Sequence, residues 1–140
     1  MILLDTNVVI DARDASQPDH AWAAGLIESA ATSEGAGINS VTLAELCSGS
    51  PMPEDIAPEI QKLGIEIFDL PAAGSTVCGK AYRRYLLARR ASGGSGAPRI
   101  PLPDFFIGAH AEIMGWKLAT RDTERITRYF PKVKLVTPKK

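Results

Sequence analysis

Apolar positions along this chain fall into short unbroken runs that alternate with stretches of helical spacing. Residues 1 to 4, MILL, are continuously apolar, the pattern of a strand buried on both faces. Residues 7 to 12 carry Val8, Val9 and Ile10 and predict a short helix. A second helix is expected over 18 to 31, opening at Pro18 and placing Trp22, Leu26 and Ile27 among mostly small residues. After the Ser33-Glu34-Gly35 break, 36 to 39 predicts a brief strand. VTLAELCSG then predicts a helix that stops near Gly49, before the Pro51-Met52-Pro53 loop. A short helical segment over 54 to 62 ends before Gly64, and the alternating IEIFDL, closed by Pro71, reads as a strand. Val77, Ala81, Tyr85 and Ala88 recur at near-helical spacing and predict a long helix from 73 to 91. ASGGSGAP has the composition of a flexible loop. Pro101-Leu102-Pro103 launches a helix over 104 to 114 that Gly115 caps, and WKLAT, TERITRYF and VKLV predict strand, helix and strand.

Strands alternating with helices imply right-handed crossovers and a mainly parallel twisted sheet of four to five strands, covered on both faces: a three-layer α/β/α arrangement. A length of 140 residues suits one domain spanning residues 1 to 140. In such sheets the functional cleft lies beyond the carboxyl ends of the strands. Four acids are placed to meet there. Asp5 directly follows the first strand and Asp122 closely follows WKLAT, while Asp104 opens a helix and Glu45 lies one turn into the helix after the second strand.

Each acid also has a local explanation. Asp104 suits a helix cap or dipole partner and Asp122 a helix N-cap, worth about 0.5 to 2 kcal/mol each. Asp5 suits an Asx turn, and Thr42-Leu43-Ala44-Glu45 fits a capping box. Capping does not require the four to converge, however. Four carboxylates gathered on one rim repel unless neutralised, so they call for a cation. A hard divalent metal with oxygen ligands is the natural one.

Composition narrows the remaining chemistry. Sixteen basic and sixteen acidic residues balance, so no global positive field draws the chain to nucleic acid and any such binding needs a local patch. Lys80, Arg83, Arg84, Arg89, Arg90 and Arg99 gather on and after the long helix, where they form either a phosphate-binding patch or a solvated helix face. Tyr82 and Tyr85 are candidates for stacking on bases, with Tyr85 better placed for the core. Cys47 and Cys78 form no CxxC pair and read as reduced thiols. His20 and His110 lack zinc-ligand spacing, and His110 reads as a satisfied structural group. No basic segment followed by a long apolar stretch opens the chain, and no apolar run approaches the ~18 residues of a membrane span, so a soluble, cytoplasmic protein is expected.

MILLDTNVVID, SVTLAEL, PLPDFFIGAHA and LATRD, in this order, resemble the four acidic motifs of the PIN-domain ribonucleases, specifically the VapC-type toxins of bacterial toxin–antitoxin pairs. The resemblance covers essentially the whole chain. It implies that Asp5, Glu45, Asp104 and Asp122 are the metal-binding and catalytic acids, supported by Thr6, Asn7 and Thr120. It also implies Mg²⁺, with Mn²⁺ as a substitute, and hydrolysis of RNA by metal-activated water to leave a 5′-phosphate and a 3′-hydroxyl. A cognate antitoxin that sets an arginine against the acids, and a homodimer with both clefts along one groove, are implied as well. Two departures stand out. Gly108 occupies a position where alanine is frequent, which is expected to loosen its helix, and the short segment from 48 to 64 is expected to reduce the arm that grips a partner toxin. A haloacid-dehalogenase-like phosphatase with Asp5 as nucleophile needs a second aspartate at position 7, where Asn7 stands. A catalytically silent module on the same fold is the alternative, against which the complete acid set argues.

Overall fold

Five parallel strands form the floor beneath the acids. The computed structural model describes residues 1–93 and 98–139. In chain order they build β1 (Ile2–Leu4), α1 (Thr6–Arg13), α2 (His20–Ala31), β2 (Ala36–Asn39), α3 (Ser40–Ser48), a 3₁₀ turn (Pro53–Asp55) and α4 (Ile56–Lys62). β3 (Ile65–Phe68), a second 3₁₀ turn (Ala72–Gly74), α5 (Ser75–Ala91), α6 (Leu102–Met114), β4 (Lys117–Ala119), α7 (Thr123–Tyr129) and β5 (Leu135–Val136) follow. The strand order is β3-β2-β1-β4-β5, with every neighbouring pair parallel. β1 is central, which explains why MILL is apolar throughout.

Alternate residues of β1 point to opposite faces. Ile2 and Leu4 join one core with Val8, Ala23, Ile27, Ile56 and Ile60, beneath α1, α2 and α4. Leu3 joins the other with Cys78, Tyr85, Phe105, Ile107, Ile126 and Phe130, beneath α5, α6 and α7. The architecture is therefore the expected three layers. Element edges shift modestly. α2 starts at His20 rather than Pro18, and the 54 to 62 segment divides into a 3₁₀ turn and the seven-residue α4. α6 starts at Leu102 because Pro101 takes the N-cap and Pro103 sits in a first turn where its missing N–H costs no hydrogen bond. Gly115, at φ 66°, ends α6 in the left-handed conformation expected of it. The expected flexible loop ASGGSGAP lies outside the described residues over 94–97. Among the described residues, no helix is long and apolar enough to cross a membrane.

Gly108 is not a source of looseness. A Cβ added there would lie 2.4 Å from Phe130 Cδ2, and the Phe130 ring is fully buried and has nowhere to move. The glycine lets α6 approach this ring closely. Gly108→Ala is therefore expected to destabilise the protein by about 1–3 kcal/mol through overpacking, although alanine is the better helix former by about 1 kcal/mol. A lower urea midpoint with an unchanged slope would show it.

Candidate active site

Asp5 leaves the C-terminal end of β1 and is only 4% exposed, yet four donors surround its carboxylate. Oδ1 accepts the Thr6 N–H at 2.8 Å, while Oδ2 accepts the Thr120 hydroxyl at 2.7 Å, the Asn7 amide at 3.2 Å and Arg125 Nη2 at 3.3 Å. The β1–β4 register, Leu4 beside Ala119, is what brings Thr120 next to Asp5. Thr120 Oγ1 in turn accepts the Asp122 N–H at 2.9 Å, and Asn7 Oδ1 accepts the Arg121 N–H at 3.1 Å. Asn7 and Thr120 thus tie the first acid to the loop that carries the fourth.

Glu45 comes from α3. The expected capping box does not form, because Asn39 caps this helix instead, its Oδ1 accepting the N–H groups of Val41 at 3.0 Å and Thr42 at 3.3 Å. Thr42 lies inside the helix and is fully buried. Glu45 is left to reach across to the Thr6 hydroxyl, 3.0 Å from its Oε1. Asp104 does not cap α6, whose N-cap is Pro101, and Asp122 holds the N-cap position of α7 without a side-chain capping bond. Of the local explanations, the dipole one holds for Asp104, which lies in the first turn of α6. Asp5 is the N-cap of α1, but its Oδ1 accepts the N–H of the next residue, Thr6, and not the N–H two residues on that an Asx turn needs.

The acids do converge, around a cation that sequence reasoning missed. Arg125, with its side chain 9% exposed, places Nη2 3.3 Å from Asp5, Nε 3.4 Å from Asp122 and Nη1 3.9 Å from Asp104. Burial, and then the charge of Asp104, push the Glu45 carboxyl above its ordinary value. Burial likewise raises Asp104, reinforced by Asp5 and Asp122 and opposed by Arg125. The donors are all carboxylate oxygens, the set a hard divalent cation prefers. Among the described residues, no three acids, histidines or cysteines are grouped so that they could hold a metal ion as they stand.

Raised acids set the sign of a pH effect. A carboxyl that binds protons more tightly folded than unfolded contributes its full stability below the unfolded value, and that contribution is lost as pH rises through the folded value. In EDTA at pH 7, Asp104→Asn is therefore expected to melt above wild type by calorimetry, with the difference closing near pH 3.

A PIN domain family model matches residues 2–130. The chain belongs to the PIN domain family. Its fold is similar to that of several solved structures. One is a chain of VapBC2 from Rickettsia felis bound to a DNA fragment from their promoter, 23% identical over 99% of this chain and 100% of that one, with a TM-score of 0.66. A chain of FitAB bound to an IR36 DNA fragment is 25% identical over 99% and 95%, with a TM-score of 0.67. VapC20 of Mycobacterium tuberculosis, a sarcin–ricin loop cleaving toxin, is 16% identical over 96% and 99%, with a TM-score of 0.62. No curated protein is a significant match to the chain.

The other candidates of this PIN domain divide. Lys80, Arg83, Arg90 and Arg99 are exposed, whereas the exposed Arg84 donates through Nη2 to the Tyr129 carbonyl at 2.9 Å. Both tyrosines take part in packing. Tyr85 is 7% exposed and its hydroxyl accepts the Arg99 and Ile100 N–H groups, while the Tyr82 hydroxyl donates to the Ile100 carbonyl and its ring meets Phe105 edge-on. His110 is buried, its Nδ1 accepts the Asn39 amide at 3.3 Å, and burial holds its pKa below the ordinary value, so it stands as a neutral structural group. Sequence reasoning also missed Arg121, which clamps the buried Asp11 through Nε at 2.7 Å and Nη2 at 3.3 Å.

Proposed function

We propose that this PIN domain is a divalent-metal-dependent endoribonuclease, the toxin of a toxin–antitoxin pair. The observation that carries the reading is the convergence of acids from separate elements, at the ends of β1 and β4 and on α3 and α6, on the rim beyond the sheet. The fold shared with VapBC and FitAB chains and with an RNA-cleaving VapC toxin supports it.

Asp5, Glu45, Asp104 and Asp122 would hold the cation, Mg²⁺ or Mn²⁺. When bound, such an ion supplies Lewis acidity toward a phosphodiester and acidifies water. Asp5 is the fixed member, since the Thr6 N–H, the Asn7 amide and the Thr120 hydroxyl hold its two oxygens. Thr6 orients Glu45 from the same turn of chain. Thr120 carries the position of Asp5 to the backbone of Asp122. In the reaction water adds to phosphorus, the bond to the 3′-oxygen breaks, and that oxygen leaves with a proton, giving 5′-phosphate and 3′-hydroxyl ends.

Lys80, Arg83, Arg90 and Arg99 supply phosphate contacts to the RNA. Beside Glu45 lies a largely apolar cleft of about 440 Å³ lined by Val41, Ala44, Leu70 and Pro103. This cleft suits the apolar side chains of an antitoxin segment laid toward the acids. A cytoplasmic homodimer is the assembly we propose.

Purified protein is expected to cleave RNA in MgCl₂ or MnCl₂ and to stop on addition of EDTA. Expression without an antitoxin is expected to arrest growth, and sequencing of RNA ends after brief induction names the target. Cleavage that persists in EDTA would sink the metal mechanism. Absence of both cleavage and arrest would point to a silent binding module instead.

A further inference from the structure

Two arginines of this chain grip carboxylates in different ways. Arg121 meets Asp11 as a fork, with contacts of 2.7 and 3.3 Å to its two oxygens. Arg125 instead spreads one guanidinium over three carboxylates, at 3.3, 3.4 and 3.9 Å, and takes none of them bidentately. Its Nε is buried and has no hydrogen-bond partner. A buried N–H left unmatched beside an acceptor at 3.4 Å is costly, and it marks a seat chosen by charge and not by hydrogen-bond geometry. α7 holds this side chain in place, with Ile126 and Tyr129 buried in the core.

We propose that Arg125 is a resident counter-cation of the acid cluster: it neutralises Asp5, Asp104 and Asp122 in the metal-free protein and competes with a divalent ion for them, so that it sets the metal affinity of the site. The inference rests on the reading of these acids as a cation site and goes beyond it. A guanidinium among three carboxylates cancels part of the negative potential that attracts a second cation. A divalent ion among the same carboxylates also repels the guanidinium, so the two cations disfavour one another. Arg125 is thus a positioning residue. It keeps the apo rim from flying apart, at the cost of weaker metal binding.

Isothermal titration of MgCl₂ and MnCl₂ into wild type and Arg125→Gln tests this. Glutamine keeps hydrogen-bonding capacity and removes the charge. Arg125→Gln is expected to bind the ions about tenfold more tightly or better. It should melt lower than wild type in EDTA and recover more of its melting temperature on metal addition. Unchanged or weaker affinity, with melting lowered equally in EDTA and in metal, would make Arg125 a packing residue and overturn the proposal. Wild type that takes up neither ion would overturn the cation-site reading itself, and this inference with it. Should Arg125→Gln fail to fold, the Arg Nε–H resonances of wild type give the answer during an MgCl₂ titration. One protected resonance should shift with the same midpoint as the binding heat, and protected resonances that all stay unmoved at saturation would refute the proposal.

Discussion

Asp104→Asn is expected to slow RNA cleavage by more than about a hundredfold without lowering the melting temperature of the metal-free protein. Loss of a partner that only orients a metal ligand costs about 10- to 100-fold, so loss of a ligand itself should cost more. Asparagine keeps the shape of the side chain, and Asp104 makes no helix-capping bond whose loss would unravel α6. Its ionised form is disfavoured by burial and by Asp5 and Asp122, so removing the charge relieves the fold. Asp5→Asn should be equally inactive but less stable. Four donors converge on Asp5, and an amide NH₂ in place of one oxygen sets donor against donor in a buried site, a cost of about 1–3 kcal/mol. Initial cleavage rates with MgCl₂, read beside calorimetric melting, separate the two effects. If Asp104→Asn cuts RNA at the wild-type rate, the acid rim is not the catalytic centre.

Arg121→Ala is expected to give the largest loss of stability among the polar substitutions, about 3 kcal/mol. Asp11 is 1% exposed and its carboxylate receives both contacts of the Arg121 guanidinium. Breaking a buried pair from one side costs about 3–5 kcal/mol, because it strands a charge. The Arg121 side chain is 42% exposed, which lets water reach the orphaned acid and puts the loss at the lower end. Adding Asp11→Ala to Arg121→Ala should restore part of it, since no buried charge then remains. Urea unfolding of the single and double variants measures both. A double variant that is less stable than Arg121→Ala alone would mean that Asp11 contributes through some other contact. The side-chain pair with Asp11 joins α1 to the loop bearing Thr120 and Asp122. Its loss should slow cleavage too, even though the backbone bond from the residue 121 N–H to Asn7 Oδ1 is kept.

Most of the fold was legible because it follows from burial. The apolar MILL run, the alternation in IEIFDL and the Gly115 stop each have one dominant physical cause, and each appears where expected. The local capping readings of the acids fared worse. Thr42 to Glu45 has the letters of a capping box, but the chain leaves β2 so directly that Asn39 caps α3 a turn earlier. Gly108 looked like slack in α6 and is a point of close contact with Phe130, which lies 22 residues away and is invisible to local pattern.

Arg125 shows the limit most clearly. Its i,i+3 spacing from Asp122 is plain in the sequence, yet such pairs ordinarily lie on solvated helix faces and contribute little. By itself the sequence determined which apolar runs are buried, the order of strands and helices along the chain, and hence that four acids lie toward one rim. Those features depend on periodicity and connectivity, which neighbouring residues encode. Which charge balances the acids was decided only by the tertiary structure. Electrostatic energy depends on distance through space. The register that sets β4 beside β1 places Thr120 and the start of α7 against Asp5, and so lets Arg125 reach acids that lie far from it along the chain.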